Sequence, residues 1–135
     1  MCARAEIENV FNRYSLAYDK PNLADMESCF TEDAVMSMRI AGGDLIGPFE
    51  GRSAIMKLMS DSLASQNDQR RHLTTNLVIR SQTEDSASTE SYLTLIAVAN
   101  GKATLLSTAV YTDELICRDG QWLFTKRHID LDLPY

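Results

Sequence analysis

The sequence is poor in the residues that disulfide frameworks and metal sites require. Its three cysteines, Cys2, Cys29 and Cys117, are widely spaced and form no C-x-x-C motif, and the chain has two histidines. An odd number of isolated cysteines excludes a disulfide framework and argues against a zinc site. Cys29 and Cys117 lie in apolar segments, so we predict small core residues rather than nucleophiles. No metal or other cofactor is predicted.

Long apolar runs and an excess of positive charge are also missing. The longest apolar stretch, residues 93–99, is far shorter than the roughly 20 residues of a membrane span. The N-terminus lacks the apolar segment of a signal peptide. A formal net charge of −6 disfavours nucleic-acid binding, and the basic pair Arg70–Arg71 is predicted to be a strand entrance. We therefore predict a soluble, cytoplasmic protein that binds neither nucleic acid nor membranes.

Common catalytic and nucleotide-binding motifs are absent as well. The sequence has no G-x-G-x-x-G, Walker, G-x-S-x-G or H-E-x-x-H motif. Its 135 residues, of which 44% are hydrophobic and 24% charged, are typical of one globular domain. The chain is thus predicted to be a single domain over residues 1–135.

The first half of the chain has helical periodicity. Apolar residues recur every three or four positions over residues 3–18, and Pro21 predicts that this helix ends near Lys20. Asn22 is predicted to cap a short second helix over 23–29, followed by a turn at 31–34. A third helix is predicted to begin at Gly51, and its apolar stripe comprises Ile55, Leu58, Met59, Ser62 and Leu63.

The second half has the pattern of long strands. Alternation predicts strands over about 70–81, 87–99, 102–117 and 121–132, and Asn100-Gly101 and Asp119-Gly120 predict hairpin turns between the last three. A small hairpin, with strands at 34–40 and 45–49, lies between the helices. The result is an α+β fold in which a curved, mainly antiparallel sheet wraps around helices and encloses an apolar pocket.

Asp19 and His72 are the first candidates for chemistry. Asp19 ends the first helix, where the helix dipole disfavours a carboxylate, so it is either an exposed turn residue or a carboxylate needed in the pocket. His72 alternates with Thr74 and Asn76 on a polar strand face, which is either a solvent face or a hydrogen-bonding pocket wall. His128 is the rival general base, if the facing of the strands is reversed.

Tyr14 and Arg127 are the other candidates. Tyr14 lies on the apolar stripe of the first helix. It is either an aromatic core residue or a residue whose hydroxyl donates a hydrogen bond in the cavity. Arg127 alternates with aliphatic residues, while Trp122, Phe124, Lys126 and His128 are assigned to the opposite face. It either stabilises an anion in the pocket or pairs with an acid at the rim, the candidates being Glu114, Asp130 and Asp132.

The whole chain resembles the SnoaL-like branch of the nuclear transport factor 2-like superfamily. The segments that carry this resemblance are FNRY at 11–14 leading to Tyr18–Asp19, CFTEDAV at 29–35, GRSAI at 51–55, RRHLTTN at 70–76, and YTD at 111–113 leading to RDGQW at 118–122. The resemblance implies one cone-shaped domain. It also implies a homo-oligomer, a dimer or a trimer.

Asp19 and the RRHLTTN segment resemble the Asp–His dyad of the lyase members scytalone dehydratase, hexachlorocyclohexane dehydrochlorinase and bile acid 7α-dehydratase. This implies a cofactor-independent lyase with Asp19 and His72 as its dyad, Tyr14 as a donor and Arg127 completing the site. The predicted apolar walls, which suit a hydrophobic cyclic substrate, are Tyr18, Met36, Met38, Phe49, Leu93 and Leu95. Unlike scytalone dehydratase, the strand region 89–97 has no second histidine.

Two alternatives remain open at this level. The same scaffold hosts isomerases and polyketide cyclases, which would use the same acid–base pair without expelling a group. Dioxygenase small subunits share the fold without performing chemistry, so a non-catalytic ligand-binding or oligomerisation domain is the third interpretation. The first two require contact between Asp19 and His72, and the third predicts none.

Overall fold

The computed structural model describes residues 3–135, and Cys2 lies outside this range. The helices are α1 (Arg4–Asp19), α2 (Leu23–Glu27) and α3 (Arg52–Ser65). The strands are β1 (Phe30–Ile40), β2 (Ile46–Glu50), β3 (Gln69–Gln82), β4 (Ser86–Ala99), β5 (Lys102–Arg118) and β6 (Gln121–Leu131). The predicted α+β class is confirmed.

The six strands form one mixed sheet in the order β2-β1-β6-β5-β4-β3. Every neighbouring pair is antiparallel except β1 and β6, which run parallel. The predicted meander of the last three strands is present, and both residues of each turn, Asn100-Gly101 and Asp119-Gly120, have positive φ, as a tight hairpin requires. The sheet is not closed, since β2 and β3 are its two edges.

Helix α1 lies against the concave face of the sheet and buries the stripe that its periodicity predicts. Its core residues are Ile7, Val10, Phe11, Tyr14, Ala17 and Tyr18. The helix ends where Pro21 requires, with the backbone N–H of Lys20 donating to Leu16. The side chain of Asn22 accepts from the backbone of Asp25, so the predicted cap of α2 is present.

The predicted turn at 31–34 is wrong, because this segment belongs to β1. Phe30 and Thr31 are buried, and Phe30 pairs with Phe124 on β6. Five steps along β1, from Phe30 to Val35, correspond to two steps along β6, so the extra residues form an irregularity. The exposed pair Glu32–Asp33 lies in this irregularity and gives the segment the polar pattern of a turn. Helix α2 ends at Glu27, two residues before the predicted end.

A β-bulge in β3 changes the residues that face the core. Three steps from Thr75 to Val78 match two steps on β4, and Asn76 has a φ of 58°. His72 and Thr74 therefore share the inner face with Leu77, whereas the simple alternation predicted that Leu77 lies opposite them. One extra residue thus decides the direction of each side chain beyond it.

A second bulge, in β6, corrects the predicted faces of that strand. Glu114 pairs with Lys126 and Leu115 with Phe124, so Thr125 is the extra residue. Trp122 and Phe124 point inward before the bulge, and Arg127 points inward after it. The prediction that Trp122, Phe124, Lys126 and His128 share one face is therefore wrong, and Arg127 points inward, which is one of the two placements that the sequence left open.

Candidate active site

Asp19 and His72 meet where the C-terminal end of α1 packs against β3. The Oδ1 of Asp19 lies 2.6 Å from Nδ1 of the His72 ring, and its Oδ2 accepts the backbone N–H of His72 at 2.8 Å. Both side chains are buried. These two hydrogen bonds compensate the unfavourable position of a carboxylate at the C-terminal end of α1, where the helix dipole disfavours it by up to about 1 kcal/mol.

The contacts of Asp19 indicate the tautomer of His72. A carboxylate only accepts hydrogen bonds, so the ring nitrogen that faces it, Nδ1, carries the proton. The other nitrogen, Nε2, has no partner among residues 3–135, and the His72 ring lines the cavity described below. The arrangement leaves a lone pair at the cavity wall, as a general base needs. The ring of Tyr18 packs beside His72 at 4.4 Å between centroids.

A cavity of about 50 Å³ lies between α1, α3 and the inner face of the sheet. Its lining comprises Tyr14, Tyr18, Met38, Leu58, Met59, Ser62, Arg70, His72, Leu93, Leu95, Tyr111, Ile129, Leu131 and Tyr135. Most of these side chains are apolar. The volume accommodates one or two water molecules and is well below the roughly 300–1,000 Å³ of typical ligand pockets.

The predicted wall residues divide into two groups. Tyr18, Met38, Leu93 and Leu95 line the cavity as the sequence predicts. Met36 and Phe49 are not part of its lining: Met36 is wholly buried in the core, and Phe49 lies on the edge strand β2. The alternation on β1 identifies Met36 as an inward residue without giving its depth in the cone, and Phe49 belongs to the edge strand.

An outer groove of about 570 Å³ adjoins the cavity. Tyr18 and Arg70 line both spaces and thus form the partition between them. The hydroxyl of Tyr18 donates to the side chain of Gln66 at 2.9 Å, which holds the ring in this position. Asp19 lies behind His72 and lines the groove rather than the cavity.

Tyr14 is placed as a hydrogen-bond donor. Its hydroxyl reaches the Sδ atom of Met59 at 3.6 Å, a weak acceptor that a substrate oxygen can replace. Burial raises the pKa of Tyr14, so the hydroxyl keeps its proton at neutral pH. It can therefore donate a hydrogen bond but does not serve as a base.

Arg127 lies inside the cone but not on the cavity wall. Its Nε and Nη2 donate to the two carboxylate oxygens of Asp113 at 2.8 and 3.2 Å. Its guanidinium carbon lies 3.7 to 5.2 Å from the ring centroids of Tyr111, Phe124, Tyr14 and Phe11. The acid partner is neither Glu114, Asp130 nor Asp132, and the pair is fully buried rather than at the rim.

His128 points away from the cavity. Its Nδ1 is 2.7 Å from the hydroxyl of Ser37, and its Nε2 is 3.1 Å from Asp130. These contacts lie on the outer face of the sheet, so the rival assignment of His128 as the pocket base does not match the geometry.

Sequence reasoning missed Asp113, Tyr111 and Arg70. A usable signal existed for the first two, since Tyr111, Asp113 and Leu115 alternate on β5 with exposed residues. An acid in an otherwise apolar inward series predicts a buried partner of opposite charge. Arg70 lies two residues before His72 and so on the same face, which the strand period indicates.

Tyr111 gives the first testable prediction, a loss of stability in alkali. Burial raises the pKa of Tyr111 from its ordinary value to about 12. Because the folded-state pKa is the higher one, this stability is complete below about pH 10 and is lost as the pH rises through that value toward 12. The free energy of unfolding should fall by about 1.4 kcal/mol per pH unit from this tyrosine, to a total of about 3 kcal/mol.

Denaturant unfolding at pH 8 to 12 in the parent and in Tyr111→Phe measures this loss. The variant should lose less stability than the parent over the alkaline range, whereas Tyr92→Phe, at an exposed tyrosine of β4, should follow the parent. Equal alkaline slopes in all three proteins would contradict the prediction.

Within residues 3–135 no cluster of three His, Cys, Asp or Glu side chains could hold a metal ion. Cys29 is a buried free thiol whose pKa is raised by burial, as its predicted core role implies. Over the same residues, no helix is long and apolar enough to cross a membrane. The cytoplasmic location and the dimer or trimer stay predictions.

The fold and the site together define a small α+β domain with an apolar cavity, lined by His72, inside a curved sheet. The model of the SnoaL-like domain family matches residues 1–128, so the chain belongs to this family, within the nuclear transport factor 2-like superfamily. The resemblance to the SnoaL-like family that the sequence indicated is confirmed.

Individual relatives agree with this assignment. The chain is 26% identical over 129 residues to gamma-hexachlorocyclohexane dehydrochlorinase of Sphingobium indicum, covering 95% of this chain and 80% of the relative. A scytalone dehydratase-like structure from Novosphingobium aromaticivorans has a TM-score of 0.78 at 23% identity, covering 95% of this chain and 83% of that one. A β subunit assigned to an aromatic-ring-hydroxylating dioxygenase of the same organism has a TM-score of 0.83 at 18% identity, covering 98% and 91%. These two likenesses concern the fold alone.

Proposed function

We propose that the protein is a cofactor-independent lyase, a dehydratase or dehydrohalogenase, that acts on a small hydrophobic cyclic substrate. The observation that carries the proposal is the contact between Asp19 and His72 at the cavity wall, 2.6 Å from Oδ1 to Nδ1. A non-catalytic domain does not need this buried pair, whereas an elimination requires a positioned base.

In the proposed step, Nε2 of His72 removes a proton from a carbon next to the one that bears the leaving group. The electron pair of the C–H bond forms the new C=C bond, and the leaving group departs with the electrons of its own bond. Asp19 accepts the Nδ1–H of His72 and stabilises the imidazolium that forms. General-base catalysis of this kind contributes about 10²- to 10⁴-fold to the rate.

Tyr14 and Arg127 have separate roles in this proposal. The Tyr14 hydroxyl donates a hydrogen bond to a departing hydroxyl or to a carbonyl oxygen of the substrate. Departure as water also needs one proton, which the imidazolium of His72 can return. Arg127 acts as a positioning residue: its guanidinium, fixed by Asp113, lies against the rings of Tyr14 and Tyr111 and holds them at the cavity.

The lining of the cavity supports an apolar substrate, and its size requires that the cavity widen on binding. Met38, Met59 and Leu58 are flexible side chains that can move aside. Rotation of Tyr18 away from Gln66 would join the cavity to the outer groove. The printed name of the dehydrochlorinase relative supports a halogenated ring as the first compound to test.

The test is an elimination assay on halogenated cyclohexanes, including γ-hexachlorocyclohexane, on cyclic β-hydroxyketones, and on derivatives of both series that bear a ring carboxylate. Chloride release and the absorbance of the enone product report elimination, and deuterium uptake from D₂O reports proton removal. The parent should act on at least one series, and His128→Gln, which changes the outer histidine, should act like the parent. Deuterium uptake without elimination would instead indicate an isomerase or cyclase. If the parent catalyses neither, the lyase proposal is wrong.

A further inference from the structure

Arg70 is a charged residue of the cavity wall that the proposed mechanism does not use. It lies on β3 two residues before His72, so both side chains are on the inner face of the strand. Its exposed fraction is 9%, and its side chain lines both the cavity and the outer groove. Together with Tyr18, it therefore lies between the groove and the cavity that His72 lines.

The guanidinium of Arg70 has most of its donors unused. Its Nε donates to Oδ1 of Asp68 at 2.6 Å, and the two Nη atoms have no hydrogen-bond partner among residues 3–135. An arginine offers five N–H donors in a planar fork. Asp68 thus fixes the orientation of the group and leaves its end free for a second planar acceptor.

The charges around the cavity favour an anion at this end. Its ionisable lining side chains are those of Arg70, His72, Tyr14, Tyr18, Tyr111 and Tyr135, and none of these side chains is a carboxylic acid. The nearby acids Asp19 and Asp68 line the outer groove instead and are bound to His72 and Arg70. Arg127 does not take this role, because it is not part of the cavity lining and Asp113 already neutralises its charge through Nε and Nη2, although its Nη1 has no partner within the described residues. Arg70 is therefore the cation that a substrate in the cavity can reach.

We propose that Arg70 binds a carboxylate of the substrate, which makes the substrate class an apolar ring that bears a carboxylate. The two Nη atoms match the two oxygens of a carboxylate in a bidentate pair, an arrangement that a lysine does not offer. This inference rests on the proposed function only in taking the cavity as the substrate site. It adds a residue that orients the molecule, since the carboxylate fixes one end while His72 meets the other.

The test measures binding without turnover, using cyclohexanecarboxylate and its neutral isostere cyclohexanecarboxamide as probes. Calorimetry gives the Kd, and the NMR signals of the His72 ring report whether the probe reaches the cavity. The parent should bind the acid more tightly than the amide. Arg70→Gln should weaken acid binding about 10- to 100-fold and leave amide binding unchanged. Arg71→Gln, at the exposed neighbouring residue, should bind as the parent does.

If Arg70→Gln does not fold, Arg70→Lys replaces it in the test. This variant should bind the acid more weakly than the parent does, because an ammonium group lacks the planar pair of donors of a guanidinium. Equal binding of acid and amide, no saturable binding of the acid, or an equal loss in the Arg71 variant would overturn the inference. These outcomes are distinct from failure of the lyase proposal. If the protein binds the acid through Arg70 but removes no proton, the lyase proposal is wrong and the inference about Arg70 holds. If it catalyses elimination from neutral compounds and does not bind the acid through Arg70, the inference is wrong and the lyase proposal holds.

Discussion

Replacing Asp113 with asparagine is expected to lower the free energy of unfolding by about 3–5 kcal/mol, since it leaves the charge of Arg127 buried without a counter-charge. The side chain of Arg127 is 1% exposed, and four aromatic rings surround its guanidinium. Burial disfavours that charge, but Asp113 and the neighbouring tyrosines outweigh it and raise the pKa of Arg127 above its ordinary value. The guanidinium of Arg127 therefore stays charged. The expected loss is large, because the total free energy of unfolding of a typical domain is only about 5–15 kcal/mol.

Chemical denaturation of the parent and of Asp113→Asn measures this loss. Asp130→Asn is the matched control, because the Asp130 side chain is about half exposed on the neighbouring strand and, within residues 3–135, forms an ion pair with His128 alone. Its substitution should change stability by no more than about 0.5 kcal/mol.

The double variant Asp113→Leu, Arg127→Met separates the charge from the packing. Buried ion pairs are often replaced by apolar side chains of similar size at little cost, so the double variant should be more stable than Asp113→Asn. A double variant that is no more stable than Asp113→Asn would show that packing, rather than the unpaired charge, accounts for the loss.

The sequence is sufficient to predict the elements whose signals are local. The stripe of α1, the stop at Pro21 and the two hairpin turns depend on residues a few positions apart, and the structure agrees with them. Asp19 and His72 were also predicted as a pair, from the resemblance to the lyases. Asp19 and His72 are 53 positions apart, and their hydrogen bonds exist because α1 and β3 pack together.

The features that could not be predicted depend on partners far along the chain. The bulges at Asn76 and Thr125 arise from the register with β4 and β5, which a single strand does not reveal. Once the faces change at Thr125, Arg127 lies opposite Asp113, its register partner on β5. The alternation of residues along β6 therefore identified Arg127 as a candidate, but it could not identify Asp113 as the partner of Arg127.

In the proposed elimination, Asp19→Asn is expected to reduce the rate of the reaction by about 10²- to 10⁴-fold while leaving the fold intact. The backbone N–H of His72 needs an acceptor, so the amide oxygen of the new side chain should take the place of Oδ2. The amide nitrogen then faces Nδ1 of the ring and must donate to it. The proton of His72 moves to Nε2, and the lone pair that faces the cavity is lost.

The ¹⁵N shifts of the His72 ring test this tautomer change directly and need no substrate. The parent should show the proton on Nδ1 and the variant should show it on Nε2, with His128→Gln in both backgrounds to assign the signals. Where elimination activity has been found, Asp19→Asn and His72→Gln should lose comparable amounts of it, because the two residues act as one unit. If the tautomer stays the same and the activity is kept, Asp19 only anchors the strand, and the base must be sought elsewhere in the cavity.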